Sequence, residues 1–360
     1  MLLLTFSVLV ANLISDVLNV IFDPACGNGA MMDHSAPNPA PSLSDLMKEL
    51  KIRAKPGWAA RLPSGIAGIL NNKKGMAGVV ILSIILLMGI FAPFLATHDP
   101  FHRAGLPNTP PSWDHLLGTT RLGKDVFSQM LYGARTSLTV GFVAGIVATF
   151  IGVMVGISSG YFGGKIDEVL TFFVNVVLVL PALPLIIVFA AFVDKASPLV
   201  IAIVLAVTGW GWSARVIRTQ TLALRNRDFV LASELLGERK WRIILMEIFP
   251  NMFSFIVGGL VLTVIYALIA EAGLEFIGLG NPSSVTWGTM MFWAQKNAAL
   301  ITGAWWEVWP PCIAIMVTAA ALVLINFSVD ELTSPQLRAA RNAGRIRKYL
   351  RARKRSTDVF

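Results

Sequence analysis

Charge is what this 360-residue chain has least of: Asp, Glu, Lys and Arg make up 14%, against roughly 25% in a soluble domain. The AVILMFWYC set makes up 55%, and mean hydropathy is +0.67. Charge this sparse, swept out of long uncharged runs, excludes a set of soluble domains and indicates a polytopic membrane protein. Cysteine is nearly missing as well. Cys26 and Cys312 cannot build a disulfide framework, and no Cys/His zinc spacing exists. A P-loop is also lacking. The nearest approach, Ser159-Gly160-Tyr161-Phe162-Gly163-Gly164-Lys165-Ile166, has neither the first glycine nor the final Ser/Thr that would ligate magnesium. No ATPase is therefore expected on this chain. No Ser/His/Asp, Cys/His or paired-carboxylate arrangement lies where water and substrate could meet, so no chemistry on substrate is expected either.

What is present is long apolar sequence. A membrane-crossing helix needs about 20 apolar residues. Six runs free of Asp, Glu, Lys and Arg meet that, near 76–95, 136–158, 169–193, 196–214, 252–270 and 308–329. Backbone N–H groups in hydrocarbon must be satisfied within their own segment, so these runs are helices. The expected class is an all-α polytopic membrane protein with a six-span core over 64–332.

The cations give the orientation. Seven Lys/Arg lie in 48–74, one in 159–168, seven in 215–250 and nine after 333, or 24 of the 30. The intervening loops hold the other six. The richer side belongs in the cytoplasm, which puts both ends of the core, including the C-terminus, inside. Trp287, Trp293, Trp305, Trp306 and Trp309 fall on the other side and are expected to form a belt at the outer interface. The basic tail 333–360 directly follows a span, and cations there are attracted to anionic inner-leaflet lipid. This distribution suits membrane lipid as the partner and not nucleic acid.

Ahead of the core, residues 1–24 form a hydrophobic segment that carries Asp16 and lacks a cationic start, a poor signal peptide. Two arrangements stand for it: a loosely attached seventh span, the favoured one, or a segment that lies along the surface or is disordered. Residues 25–63 begin as a linker marked by Pro24, Pro37, Pro39 and Pro41. They continue into a basic amphipathic helix with Leu43, Leu46, Met47 and Leu50 on one face.

The segment 215–250 is the most informative loop. Asp228 can cap a two-turn helix starting at Phe229, and Gly237 can end it. Such a helix would expose Phe229, Val230 and Leu235, and an exposed apolar patch usually marks a partner surface. Composition alone leaves a helix folded back on the bundle equally open.

Phe229–Asn251 resembles the EAA loop of importer-type ABC permeases, at Leu231-Ala232-Ser233, Gly237, Glu247 and Phe249-Pro250. The leading Glu of that pattern is Leu231 here, and Glu234, one helical turn on, can partly substitute. Leu117-Gly118-Thr119-Thr120-Arg121-Leu122-Gly123-Lys124-Asp125, continuing through Tyr132-Gly133-Ala134-Arg135-Thr136-Ser137-Leu138, is similar to a signature of the second permease subunit of dipeptide/oligopeptide/nickel-type transporters. Gly160-Tyr161-Phe162-Gly163-Gly164…Asp167 and Leu274-Glu275-Phe276-Ile277-Gly278-Leu279-Gly280…Trp287-Gly288 match it too, with Lys124, Glu275 and Thr120 as departures. Residues 8–24 look like the last span of the sibling subunit.

The resemblance implies a six-helix type I ABC importer permease core in a bacterial or archaeal cytoplasmic membrane. It implies a sibling permease subunit as heterodimer partner, two cytoplasmic ABC ATPase subunits and an extracytoplasmic solute-binding protein. No cofactor is expected on this chain, and ATP and Mg belong to the ATPases. The implied ATPase-docking helix comprises Phe229, Val230, Leu231, Ala232, Glu234, Leu235, Gly237, Arg239, Trp241 and Arg242. Arg121, Lys124, Asp125 and Trp287 are outer-loop candidates for contact with the binding protein. Cargo ranks as short peptides first, then oligosaccharides or nickel. A stand-alone carrier or channel is the rival, and it would want charge inside the spans.

Smaller signals remain. Gly152, Gly156, Gly160 and Gly164 recur every four residues, as do Gly141 and Gly145, a spacing that lets helices pack closely. Asn175, Pro181 and Pro184 interrupt the third run, and Asn175 is the expected pathway-facing polar group, with interhelical bonding equally open. Glu271 and Glu275 end the fifth run and are expected to snorkel to water. His98, His102 and His115 share a loop with Asp99, Asp114 and Asp125; solvation is their default, and no metal site is expected.

Overall fold

A computed structural model describes residues 72–180, 184, 186–188 and 197–333. The N-terminal segment, the linker with its amphipathic helix, Pro181 and the basic tail lie outside the described residues. Among the described residues the secondary structure is helical, with one isolated antiparallel bridge, Thr119 to Asp125. In order the helices are α1 (Lys73–Ile90), α2 (Ala92–Leu95), α3 (Val126–Phe162), α4 (Gly164–Val179), α5 (Pro198–Arg225), α6 (Asp228–Leu235) and α7 (Lys240–Ile243). A π-helical turn (Ile244–Ile248) leads into α8 (Phe249–Phe276), followed by α9 (Trp287–Lys296), a 3₁₀ turn (Trp305–Glu307) and α10 (Trp309–Thr333).

Five stretches are long and apolar enough to cross a membrane: Lys73–Ile90, Val126–Phe162, Pro198–Arg225, Lys240–Phe276 and Trp305–Glu331. They coincide with five of the six expected runs. The expected third run begins as α4, 16 residues, and its remainder lies largely outside the described residues. Among the described residues, two pairs of connections mark the two ends of the bundle. The 159–168 and 215–250 connections meet at one end, hereafter the basic end, through the Tyr161–Glu234 hydrogen bond. The loops 96–125 and 277–308 meet at the other, where Glu307 accepts from the Arg121 amide at 2.8 Å.

Helix α3 organises the bundle. Its 37 residues make it about 56 Å long, well beyond an apolar layer of about 30 Å. Asp125 caps its start by accepting from the Ser128 amide at 2.8 Å, and Gly163, at φ +65°, ends it. The glycine repeat explains how α5 approaches it. A Cβ on Gly152 would stand 2.7 Å from Ser213 Cβ, on Gly156 2.7 Å from the Ala214 carbonyl, and on Gly160 2.7 Å from Thr221 Cβ. Gly145 serves α8 in the same way, where a Cβ would meet Val264 Cγ2 at 2.4 Å. These glycines pack helices together, as their spacing predicts. Gly164 departs from the stripe, because no heavy atom stands within 4 Å of its added Cβ.

Between α7 and α8 the helix widens to a π turn just ahead of Pro250. Proline has no N–H and its ring collides with the carbonyl four residues back, so a wider turn relieves both problems. Asn251 Nδ2 donates to the Glu247 carbonyl at 2.6 Å beside this turn.

Candidate functional site

At the basic end, α5 stops at Asn226 and the chain turns into α6. The helix runs Asp228–Leu235, with Arg227 in the cap position. Asp228 therefore does not cap it as expected; it lies in the first turn, where its charge favours the positive end of the helix dipole. The other end follows expectation. Gly237 takes φ +75°, its N–H donates to the Glu234 carbonyl at 3.0 Å, and the Glu238 N–H reaches the Ser233 carbonyl at 3.1 Å. That pair of bonds is a Schellman stop, which needs a residue in the left-handed region.

The two sides of α6 differ. Val230 is wholly buried, in a core with Val153, Ile157, Tyr161, Ile217, Ile243 and Met252. The expectation that Val230 is exposed is thus corrected: its face closes on the bundle. Leu235 is 88% exposed and Leu236 83%, with Phe229, Leu231 and Trp241 also open. Leu236, outside the expected docking set, joins them at the C-cap of the helix. Ala232, Arg239 and Arg242 are exposed too, and Arg242 bridges Glu238 at 2.8 Å on the surface.

Side chains from three helices hold α6 and its surroundings. Tyr161 Oη at the end of α3 donates to Glu234 Oε1 at 3.1 Å. Arg218 of α5 grips Asp167 of α4 with both Nε and Nη2, each at 2.6 Å, while Ser159 and Thr171 also bond that carboxylate. Asn175 is exposed on α4 and accepts from Arg215 Nη2 at 2.8 Å. Pro184 is exposed and helical.

At the opposite end the four expected contact residues separate. Arg121 is exposed and its Nη1 donates to the Asn297 carbonyl at 3.0 Å. Lys124 lines a cleft with Thr120, Ser284, Trp293 and Glu307. Asp125 and Trp287 are not surface groups. Asp125 is fully buried as the α3 cap. Trp287 is buried in the core of this end, its Nε1 donating to the Met130 carbonyl at 3.3 Å. Gly133 makes the room, since a Cβ there would stand 2.9 Å from Trp287 Cδ1. Trp287 therefore leaves the expected interface belt, whereas Trp305 and Trp309 are exposed. The sequence signal was legible in hindsight: Gly133 and Trp287 belong to two motifs that lock together.

The same end holds a pair that was misread. Glu271 and Glu275 do not snorkel; both are buried, one helical turn apart in α8, with their carboxyl groups facing each other. Ser137 Oγ donates to Glu271 Oε1 at 3.1 Å, and Thr286 Oγ1 donates to Glu275 Oε2. Gly280 and Gly288 close over Glu275, as a Cβ on either would come within 2.7 Å of its side chain. The fifth span continues past 270, so it contains charge-bearing residues. The rival of a stand-alone carrier is accordingly not set aside by charge-free spans.

Comparison with known proteins decides the family. Residues 152–339 match the family described as binding-protein-dependent transport system inner membrane component, and residues 69–111 match the N-terminal TM domain of oligopeptide transport permease C. The chain is 36% identical over 270 residues to the dipeptide transport system permease protein DppC of Bacillus subtilis (strain 168), covering 74% of this chain and 83% of that one. It is 34% identical to the oligopeptide transport system permease protein OppC of the same organism, covering 74% and 87%. It is 31% identical to OppC of Mycobacterium tuberculosis (strain ATCC 25618 / H37Rv), covering 76% and 94%. A solved structure of the inward-facing MetNI methionine ABC transporter gives a TM-score of 0.46 at 17% identity, over 59% of this chain and 95% of that one. With a family match across more than half of its residues and relatives covered over most of their length, this chain is a multi-pass membrane protein belonging to the ABC importer permease family, in its peptide branch.

Proposed function

We propose that this chain forms one half of the membrane pathway of an ATP-driven importer of short peptides, beside a sibling permease. Two cytoplasmic ATPases would drive it, and an outer binding protein would deliver cargo. The relatives' names support peptides as the cargo class.

The observation that carries the docking role is the two-sided α6: Val230 buried beneath it, Leu235 and Leu236 almost fully exposed at its end. A helix seated on one face and open on the other is held by the bundle and gripped by a partner. ATP-driven closure of the ATPase pair moves α6, and the packed helices rock so that the pathway opens alternately to each side. The requirement is differential contact with two ATPase states, because a helix bound equally by both transmits nothing. Cytoplasmic placement of α6 and of the C-terminus follows the cation distribution.

The test is ATP-dependent uptake of a labelled tripeptide into proteoliposomes holding the full complex, measured beside its ATPase rate. Leu235→Asp and Leu236→Asp are expected to cut uptake at least tenfold while hydrolysis continues. Undiminished uptake by both variants overturns the docking role.

A further inference from the structure

At the end opposite α6, three side chains converge that neither docking nor helix packing uses. The imidazoles of His98 and His115 lie with centroids 4.7 Å apart. His115 Nδ1 stands 3.0 Å from Asp125 Oδ1, and ligand atoms of all three residues fall within 4.8 Å of one another. His115 is 8% exposed and Asp125 0%, while His98 remains partly open to solvent.

Their surroundings fix them. The Ser128 hydroxyl donates to Asp125 Oδ2 at 2.7 Å and accepts from the His98 amide at 3.1 Å. Thr97 Oγ1 lies 3.1 Å from His98 Nδ1. Gly105 closes the Nε2 side of His115, where an added Cβ would come within 2.4 Å. The Nδ1 edge is thereby left facing Asp125. Helix capping accounts for Oδ2 of Asp125, since that oxygen accepts from the Ser128 amide and hydroxyl. It gives no reason for a second imidazole, His98, whose ring centroid lies 4.7 Å from that of His115. His115 Nδ1 and Asp125 Oδ1 share a hydrogen bond at 3.0 Å, and a tetrahedral ion about 2.1 Å from each would space them about 3.4 Å, a small parting.

We propose that His98, His115 and Asp125 bind one divalent first-row transition cation of the Zn²⁺ class, with water completing its coordination. Two imidazoles and a carboxylate are a donor set that suits this class over Mg²⁺ or Ca²⁺. The ion enters from the exposed side of His98. On binding it replaces the proton on His115 Nδ1, which leaves to solvent. Bound there, it ties the loop 96–125 to the first turn of α3. The exposed pair of Asp99 and His102, 2.8 Å apart on the surface, takes no part.

The experiment uses the full-length chain in detergent, carrying no polyhistidine tag and stripped with a chelator. It is titrated with Co²⁺, read by its visible absorption, and then with Zn²⁺ as competitor. Wild type is expected to bind about one equivalent with Co²⁺ bands of a nitrogen-ligated ion. His98→Gln and His115→Gln are each expected to weaken binding at least tenfold, a loss of the size seen when metal-site groups are removed, and His102→Gln to leave it unchanged. His115→Gln also disturbs the Asp125 cap, so His98→Gln, which contributes no side chain to that cap, decides the matter alone. Zn²⁺ binding by His98→Gln equal to wild type overturns the proposal, as does wild type that binds no Co²⁺ or Zn²⁺.

Discussion

Tyr161 donates its hydroxyl to Glu234 at 3.1 Å, joining the last turn of the longest helix to α6 across 73 residues of sequence. Val230 fixes where α6 sits, and this bond fixes how it is turned. A hydrogen bond of this kind contributes about 1 kcal/mol, roughly a fivefold change in an equilibrium. Tyr161→Phe is expected to lower peptide uptake per ATP hydrolysed by about that factor, with hydrolysis retained. Glu234→Gln, which keeps a carbonyl acceptor, is expected to stay closer to wild type. The paired uptake and ATPase rates in proteoliposomes check both.

Gly237 has open space around it, yet its φ of +75° admits side chains poorly. The penalty for another residue is therefore conformational and not steric. Gly237→Val is expected to cost about 1–2 kcal/mol locally and to fray the end of α6 that carries Leu235. Gly237→Asn, which tolerates the left-handed region, is expected to cost less. Hydrogen exchange of the Leu235 and Leu236 amides gives the order: faster in Val than in Asn, and slowest in wild type.

Gly156 lies in the α3–α5 contact, with an added Cβ 2.7 Å from the Ala214 carbonyl and 2.9 Å from Ile217. Both obstacles belong to a packed helix and cannot swing aside. Gly156→Leu is expected to lose at least the 1–3 kcal/mol typical of overpacking. Gly259→Ala in α8, where an added Cβ meets nothing within 4 Å, is the comparison and is expected to be neutral. Thermal midpoints of the two variants in detergent check the contrast.

Trp287 and Trp305 sit at the same end of the bundle but in opposite environments, 1% against 54% exposed. Trp287→Ala is expected to cost about 3–5 kcal/mol through the cavity it leaves. Trp305→Ala, which removes a half-exposed ring and its edge contact with Trp306, is expected to cost about 1 kcal/mol. Equal thermal midpoints would return Trp287 to the interface belt.

Spans were legible because hydrocarbon forces one rule on every segment, continuous apolarity, and that rule is local. The glycine repeat of α3 was legible for a related reason: a period of four marks one helix face whatever lies across from it. Trp287 and Asp125 were misplaced because indole and carboxylate suit either a wet boundary or a satisfied interior. Only the partners at Met130, Ser128 and His115 distinguish these. Glu271 and Glu275 were sent to water for the same reason, with Ser137 134 residues from Glu271 and Thr286 across the loop that follows α8.

Composition and order alone determined that this chain crosses a membrane repeatedly and that a short helix stops at Gly237. Those properties arise from solvent and from neighbouring residues, which the chain carries with it. Tertiary structure decided which face of α6 is buried, which tryptophans are core, and that Glu271 lies buried against Ser137. Each of these depends on helices approaching from distant sequence, and the separation between their surfaces is a property of the packed bundle.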